Sequence, residues 1–170
     1  MSTLKILLFP DPRLRTKAVE IESVNDEIKK LAKDMIETMH QGNGIGLAAT
    51  QVNVHKRLIV VDVGGDQKKP LVLINPRIKE ILEPELTPYS EGCLSVPGFY
   101  EELERPRKVK ISAVGLKSEE IELDADGVLA VVIQHEIDHL DGKMMVDFLS
   151  NLKRERIRKK LLKQKKEAVN

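Results

Sequence analysis

Apolar residues along this chain fall into two rhythms. Between Asn25 and Met39 they recur every three or four positions, at Ile28, Leu31, Ala32, Met35, Ile36 and Met39. That spacing puts them on one face of a helix, and Asn25 is suited to cap its start. Gln41-Gly42-Asn43-Gly44 then breaks it. Further on, Val128-Leu129-Ala130-Val131-Val132-Ile133 is apolar without interruption. A helix apolar all round is usually buried. This one runs on through Gln134-His135-Glu136-Ile137-Asp138-His139, and Asp141-Gly142 stops it. Ser150 can cap a last helix with Leu152, Ile157, Leu161 and Leu162 as its apolar positions.

Strand-like runs occupy the space between. Residues 4–9 read as extended and end in the turn Pro10-Asp11-Pro12. Residues 57–63 are rich in β-formers, and residues 71–74 read as a buried strand ending at Asn75-Pro76. Residues 78–82 suggest a further strand. Residues 109–114 alternate as a half-exposed strand does, and 121–123 repeat this on a smaller scale. Turn signals at Gly64-Gly65-Asp66 and at residues 115–118 separate these pieces. The strands come as a block, without regular strand–helix alternation. The expected fold is therefore α+β: antiparallel or mixed β-sheet packed around the central buried helix, plus a C-terminal helix. One domain over residues 1–170 is expected, with 150–170 as the basic terminal helix.

Composition narrows the class. A chain of 170 residues with 41% hydrophobic content can build one domain with a real core. A net charge of +1 gives no global field toward nucleic acid or membrane, and 3% aromatic residues leave little surface for stacking bases. No apolar stretch approaches a membrane span. The opening residues carry no signal-peptide pattern. Cys93 is the single cysteine, so an intramolecular disulfide is ruled out and a reducing cytoplasm is the default. The last helix carries Lys153, Arg154, Arg156, Arg158, Lys159, Lys160, Lys163, Lys165 and Lys166. A solvated face is the simpler reading of these charges; docking to a polyanion such as RNA is the functional one.

Two segments carry candidate chemistry. Gly44-Ile45-Gly46-Leu47-Ala48-Ala49 fits the letters of a dinucleotide-binding loop. That loop needs a strand before it and a helix after it, and here the order is reversed. A small-residue segment whose backbone closely approaches another group is the better reading. In the second segment, His135 and His139 lie one turn apart on one helix face and can share a metal ion. Glu136 between them can reach a water on that ion. Burying such groups unpaired is costly, and a metal satisfies them together.

A catalytic site wants a third protein ligand and an open position. An HExxHxxGxxH protease pattern fails at Met145, because a thioether is a poor ligand for such an ion. Asp147 or Glu155 would serve in a metallopeptidase with a downstream carboxylate ligand. Cys93 is the other candidate, in the turn-rich segment Glu91-Gly92-Cys93-Leu94-Ser95.

Three segments together resemble the signature motifs of the peptide deformylase family in order, spacing and wording: Gly44-Ile45-Gly46-Leu47-Ala48-Ala49-Thr50-Gln51, Glu91-Gly92-Cys93-Leu94-Ser95 and Gln134-His135-Glu136-Ile137-Asp138-His139. Phe9-Pro10-Asp11-Pro12-Arg13-Leu14-Arg15 and Leu73-Ile74-Asn75-Pro76 extend the likeness over nearly the whole chain. Residues 99–104 fall where bacterial members vary.

The resemblance implies removal of the formyl group from the N-terminal methionine of new polypeptides, with release of formate. It assigns a divalent ion to Cys93, His135 and His139. That ion is ferrous iron in many members, with zinc, nickel or cobalt able to replace it, and water takes the fourth position. Glu136 is expected as general base and then acid. The Gln51 side-chain amide and the Leu94 backbone N–H are expected to stabilise the oxyanion. The peptide should lie extended beside Ile45 and Gly46, with its methionine side chain against Val131 and Val132. Sequence tolerance beyond methionine should be broad. Asp138 either orients a histidine or belongs to the surface. N-formylmethionyl peptides are the expected partners, with the ribosome reached through the basic C-terminal helix. No membrane partner, a monomer and a bacterial cytoplasmic location complete the expectation. A metallopeptidase cutting internal bonds is the alternative.

Overall fold

The computed structural model describes residues 3–64 and 69–169; Gly65 and Asp66, part of one expected turn, lie outside these. Its elements are α1 (Asp26–Gln41), β1 (Gly46–Ala48), β2 (Leu58–Val61), β3 (Leu71–Cys93), β4 (Val96–Val114), β5 (Glu120–Asp126), α2 (Gly127–Leu140) and α3 (Asn151–Val169). The strands form one sheet in the order β1-β2-β3-β4-β5. Every pairing is antiparallel. This is an α+β fold, and of the two sheet types expected it has the antiparallel one.

α1 begins where the sequence places it. The Asn25 side chain accepts a hydrogen bond from the Ile28 N–H, and Asp26 and Glu27 lie in the positively polarised first turn. Its buried face, Ile28, Ala32, Met35 and Met39, packs on one side of the sheet with Leu47, Leu58, Val60 and Ile74. α2 covers the other side, where Ala130, Ile133, Ile137 and Leu140 meet Ile59, Leu73, Val109 and Ile111. All four residues of β2 are buried. Leu58 and Val60 belong to the α1 side, Ile59 and Val61 to the α2 side, as the period of two requires.

The chain does not stop at Asn75-Pro76. β3 runs on to Cys93 and absorbs the expected separate strand at 78–82. Asn75 adopts φ 51°. The register with β4 slips between Ile74 and Arg77, so the proline is taken up in a bulge instead of ending the strand. Asn75 clips the bulge to Ile21, accepting from its N–H and donating to its carbonyl, both at 2.9 Å. Residues 4–9 are not one of the five strands. They run across the molecule, tied by Leu7 N–H to the Gln51 carbonyl at 2.7 Å and Phe9 N–H to the Ser95 carbonyl at 2.8 Å.

Ser150 caps α3 by accepting from the Lys153 N–H at 3.2 Å. Only two of the four expected apolar positions face inward. Ile157 and Leu161 are buried with Leu7, Phe9, Leu103 and Met145, whereas Leu152 and Leu162 are exposed. Residues four apart share a helix face; 152 and 162 each sit five away from 157, and 162 is next to 161, so both fall on the flanks.

Candidate active site

The sheet and α2 converge where the β3–β4 hairpin turns. Cys93 ends β3 and pairs with Val96, so Leu94 and Ser95 form the tight turn between them. α2 brings His135 and His139 to the same point. The His139 Nε2 lies 3.3 Å from Cys93 Sγ and 3.3 Å from His135 Nε2. All three donor atoms lie within 4.8 Å of one another.

The surroundings fix how these donors point. His135 Nδ1 is 2.9 Å from Glu91 Oε1, which leaves Nε2 to face the other two donors. Glu91 is held by Arg105, whose Nε donates to Oε2 at 2.6 Å and whose Nη2 donates to Oε1 at 3.0 Å. The Arg105 Nη1 donates to Asp138 Oδ2 at 2.9 Å. Asp138 thus acts on the arginine, not on a histidine. Phe148 covers the guanidinium, with its ring centre 5.2 Å away. Burial favours the neutral form of Glu91, but His135 and Arg105 outweigh it and hold the carboxyl below its usual range. Glu91 and Asp138 in turn raise Arg105 against its burial. His135 is raised despite burial by Glu136, Cys93 and Glu91. His139 is lowered by burial, then by the positive charges of His135 and Arg105.

Sequence reasoning did not find Arg105 or the task of Glu91. Leu103 and Arg105 occupy inward positions of β4, a placement that only the fold reveals, and a charge facing inward from a strand calls for a partner.

Glu136 is buried, and its Oε1 has no hydrogen-bond partner. Burial pushes its carboxyl up to about 7, against the pull of His135 and Arg105. Its Oε2 explains the glycine-rich segment. A Cβ on Gly46 would lie 2.6 Å from Glu136 Oε2 and 2.7 Å from Val132 Cγ1. The Leu94 side chain similarly fills the space beside Gly42 and Gly44, at 2.9 and 2.7 Å from the Cβ each would carry. The close backbone approach expected here is to a carboxyl and a leucine. The segment leads into β1, the edge strand of the sheet, whose one neighbour in it is β2.

Gln51 is 1% exposed. Its Oε1 accepts from the Ala48 N–H at 2.9 Å, and its Nε2 donates to Ser95 Oγ at 3.0 Å and sits 3.6 Å from Cys93 Sγ. Ile45, Gly46, Gln51, Cys93, Leu94, Val131, Val132, His135 and Glu136 line one cleft of about 390 Å³. His139 is fully buried beside it.

The donor set fits a metal ion. Bonds of about 2.0–2.3 Å to a tetrahedral ion space its ligand atoms roughly 3.3–3.7 Å apart. The two 3.3 Å separations agree, and two imidazole nitrogens facing each other and a sulfur are best reconciled by a shared cation. The rival ligands are engaged elsewhere. Asp147 takes both guanidinium nitrogens of Arg15 at 2.7 and 2.8 Å, Glu155 pairs with Arg158, and Met145 is in the core. This disfavours the metallopeptidase with a downstream carboxylate ligand.

Taken together, an antiparallel α+β fold with a Cys-His-His donor set and a buried HExxH glutamate on a cleft defines a metal-dependent hydrolase. The family model for polypeptide deformylase matches residues 3–155. A peptide deformylase of Azotobacter vinelandii is 61% identical over 164 residues, 96% of this chain and 97% of that protein. Among solved structures, a peptide deformylase from Legionella pneumophila is 41% identical with a TM-score of 0.92, covering 99% of both chains. The Ehrlichia chaffeensis peptide deformylase in complex with actinonin is 40% identical with a TM-score of 0.93, covering 96% of this chain and 98% of that one. The chain belongs to the polypeptide deformylase family, and it is an enzyme of that metal-dependent class. No helix among the described residues is long and apolar enough to cross a membrane.

Proposed function

We propose that this enzyme removes the formyl group from the N-terminal formyl-methionine of newly made polypeptides and releases formate, with the site residues acting as follows. A divalent ion on Cys93, His135 and His139 supplies Lewis acidity, lowering the pKa of water at the site and polarising the formyl oxygen. Ferrous iron is the ion we expect, with zinc, nickel or cobalt compatible with the same donors. Glu136 takes a proton from the attacking water as the new C–O bond forms. It then gives that proton to the nitrogen as the C–N bond breaks, so amine and formate leave. A carboxyl that can both accept and release a proton suits both halves of this exchange. Gln51 Nε2–H and Leu94 N–H donate to the formyl oxygen as its charge develops. Gln51 is preset for this, because Ala48 and Ser95 fix the amide before substrate arrives.

The peptide lies extended along Ile45 and Gly46, adding to the edge that β1 leaves free of further strands. Val131 and Val132, one turn before His135, wall the methionine pocket. The observation that carries the reading is that Glu136, with one buried oxygen left without a partner, lines the same cleft as Cys93 and His135. The enzyme works as a cytoplasmic monomer of a bacterium, a location in keeping with its bacterial relatives. Arg156, Lys159, Lys163 and Lys166 remain exposed on α3, which supports docking on ribosomal RNA. Anaerobic purification with metal analysis and a formate-release assay tests the activity. Formate from formyl-Met peptides in proportion to bound ion is expected; no release at any metal loading overturns it.

A further inference from the structure

The chain has only five aromatic rings, two tyrosines and three phenylalanines. Phe9 lies in the core and Phe148 covers Arg105. The other three, Tyr89, Phe99 and Tyr100, all line the cleft. A composition this poor in rings has spent most of them on one rim. Tyr100 is 73% exposed, against the tendency of a large aromatic to be covered. It is nevertheless held in place. Gly92 is its cross-strand partner, and three ring atoms lie 2.5 to 3.2 Å from where a Cβ on Gly92 would be. One side of the ring therefore rests on bare backbone and the ring remains largely open to solvent. An aromatic ring already fixed loses little freedom when something stacks on it.

We propose that Tyr100 is a specificity-determining residue for this same reaction: its ring receives the side chain of the residue that follows the formyl-methionine and favours a flat or bulky apolar group there. The proposal rests on the deformylase reading of the site. Gly92 is one residue from Cys93, about 3.3 Å along the strand, and an extended peptide advances by the same step per residue. A formyl group at the donor set thus leaves the first two side chains within reach of this rim. Successive side chains of an extended chain point to opposite sides. With methionine against Val131 and Val132 on α2, the next side chain turns toward the hairpin that carries Tyr100.

Stacking of this kind corresponds to roughly a two- to tenfold preference. The test measures kcat and KM for formyl-Met-Xaa-Ala peptides with Xaa Phe, Leu, Ala or Asp, on the metal-loaded wild type, Tyr100→Phe and Tyr100→Ala. Phe over Ala by two- to tenfold in kcat/KM, carried by KM, is expected in the wild type and in Tyr100→Phe. In Tyr100→Ala the ratio should fall to about one. A flat series in the wild type, or a preference that survives in Tyr100→Ala, overturns the proposal while deformylation itself stands. No formate from any peptide would instead overturn the reading beneath it. Because each ratio is taken within one variant, a general loss of stability or metal cancels.

Discussion

Gly46 has no side chain because the Glu136 carboxyl and Val132 occupy the space one would need. Gly46→Ala must push the carboxyl or the helix away, at a cost of about 1–3 kcal/mol for an overpacked site. Denaturant unfolding should register that loss, and turnover should fall with it. Glu136→Ala makes the complementary case. It leaves Cys93, His135 and His139 in place, so the variant should retain its ion on metal analysis while formate release drops at least ~100-fold. Substantial turnover in that variant would remove Glu136 from proton transfer. At this scale the sequence displayed the donors but not their supports. His135 and His139 are legible from their spacing along one helix, and Cys93 from its motif. Arg105 was not, because its partners Glu91 and Asp138 lie 14 and 33 positions away. Local patterns carry no information about pairs that only folding brings together.

The same division holds for the elements. α1 and α2 are readable because each buries a stripe or a whole surface, and burial leaves a hydrophobic period. The outer arms of the β3–β4 hairpin bury little: residues 77–81 and 83–88 are exposed. No core registers an alternation there, and Pro84, Pro88 and Pro106 read as breaks where unpaired strand edges accommodate them. α3 gives an intermediate case, with its ends exposed and its middle fixed by Ile157 and Leu161. Ile157→Ala should cost about 2–5 kcal/mol in unfolding measurements, because the hole opens inside a packed cluster. Charge reversal at Lys159 and Lys163 should move stability by no more than about 0.5 kcal/mol. It should weaken salt-sensitive co-sedimentation with ribosomes; unchanged co-sedimentation would sink the docking proposal. These point changes separate the two roles of the helix, which deletion after Ser150 would confound.

The whole molecule is held closed by contacts between distant parts of the chain. Arg15, near the start, grips Asp147, just before α3, through both guanidinium nitrogens. Burial alone would raise the Asp147 carboxyl, but Arg15 and the Met144 N–H outweigh it and lower it. A group depressed in the folded state stabilises above its ordinary pKa and loses that contribution as pH falls through the carboxylate range. Thermal unfolding followed from pH 7 to pH 3 should therefore show acid destabilisation that Asp147→Asn partly flattens. An identical acid limb in both proteins would mean the pair contributes nothing. We expect a single cooperative transition throughout, since Leu7 and Phe9, the hairpin and α3 share one cluster.

The two-sided burial of β2 reaches further than its four residues suggest. One extra residue spliced into this strand would turn every later side chain in it over, exchanging what α1 touches for what α2 touches. Both helices would lose their seats in a single step, and the ligands on α2 would be displaced with them. The spacing from Leu58 to Val61 is therefore held by both helices at once and admits no insertion.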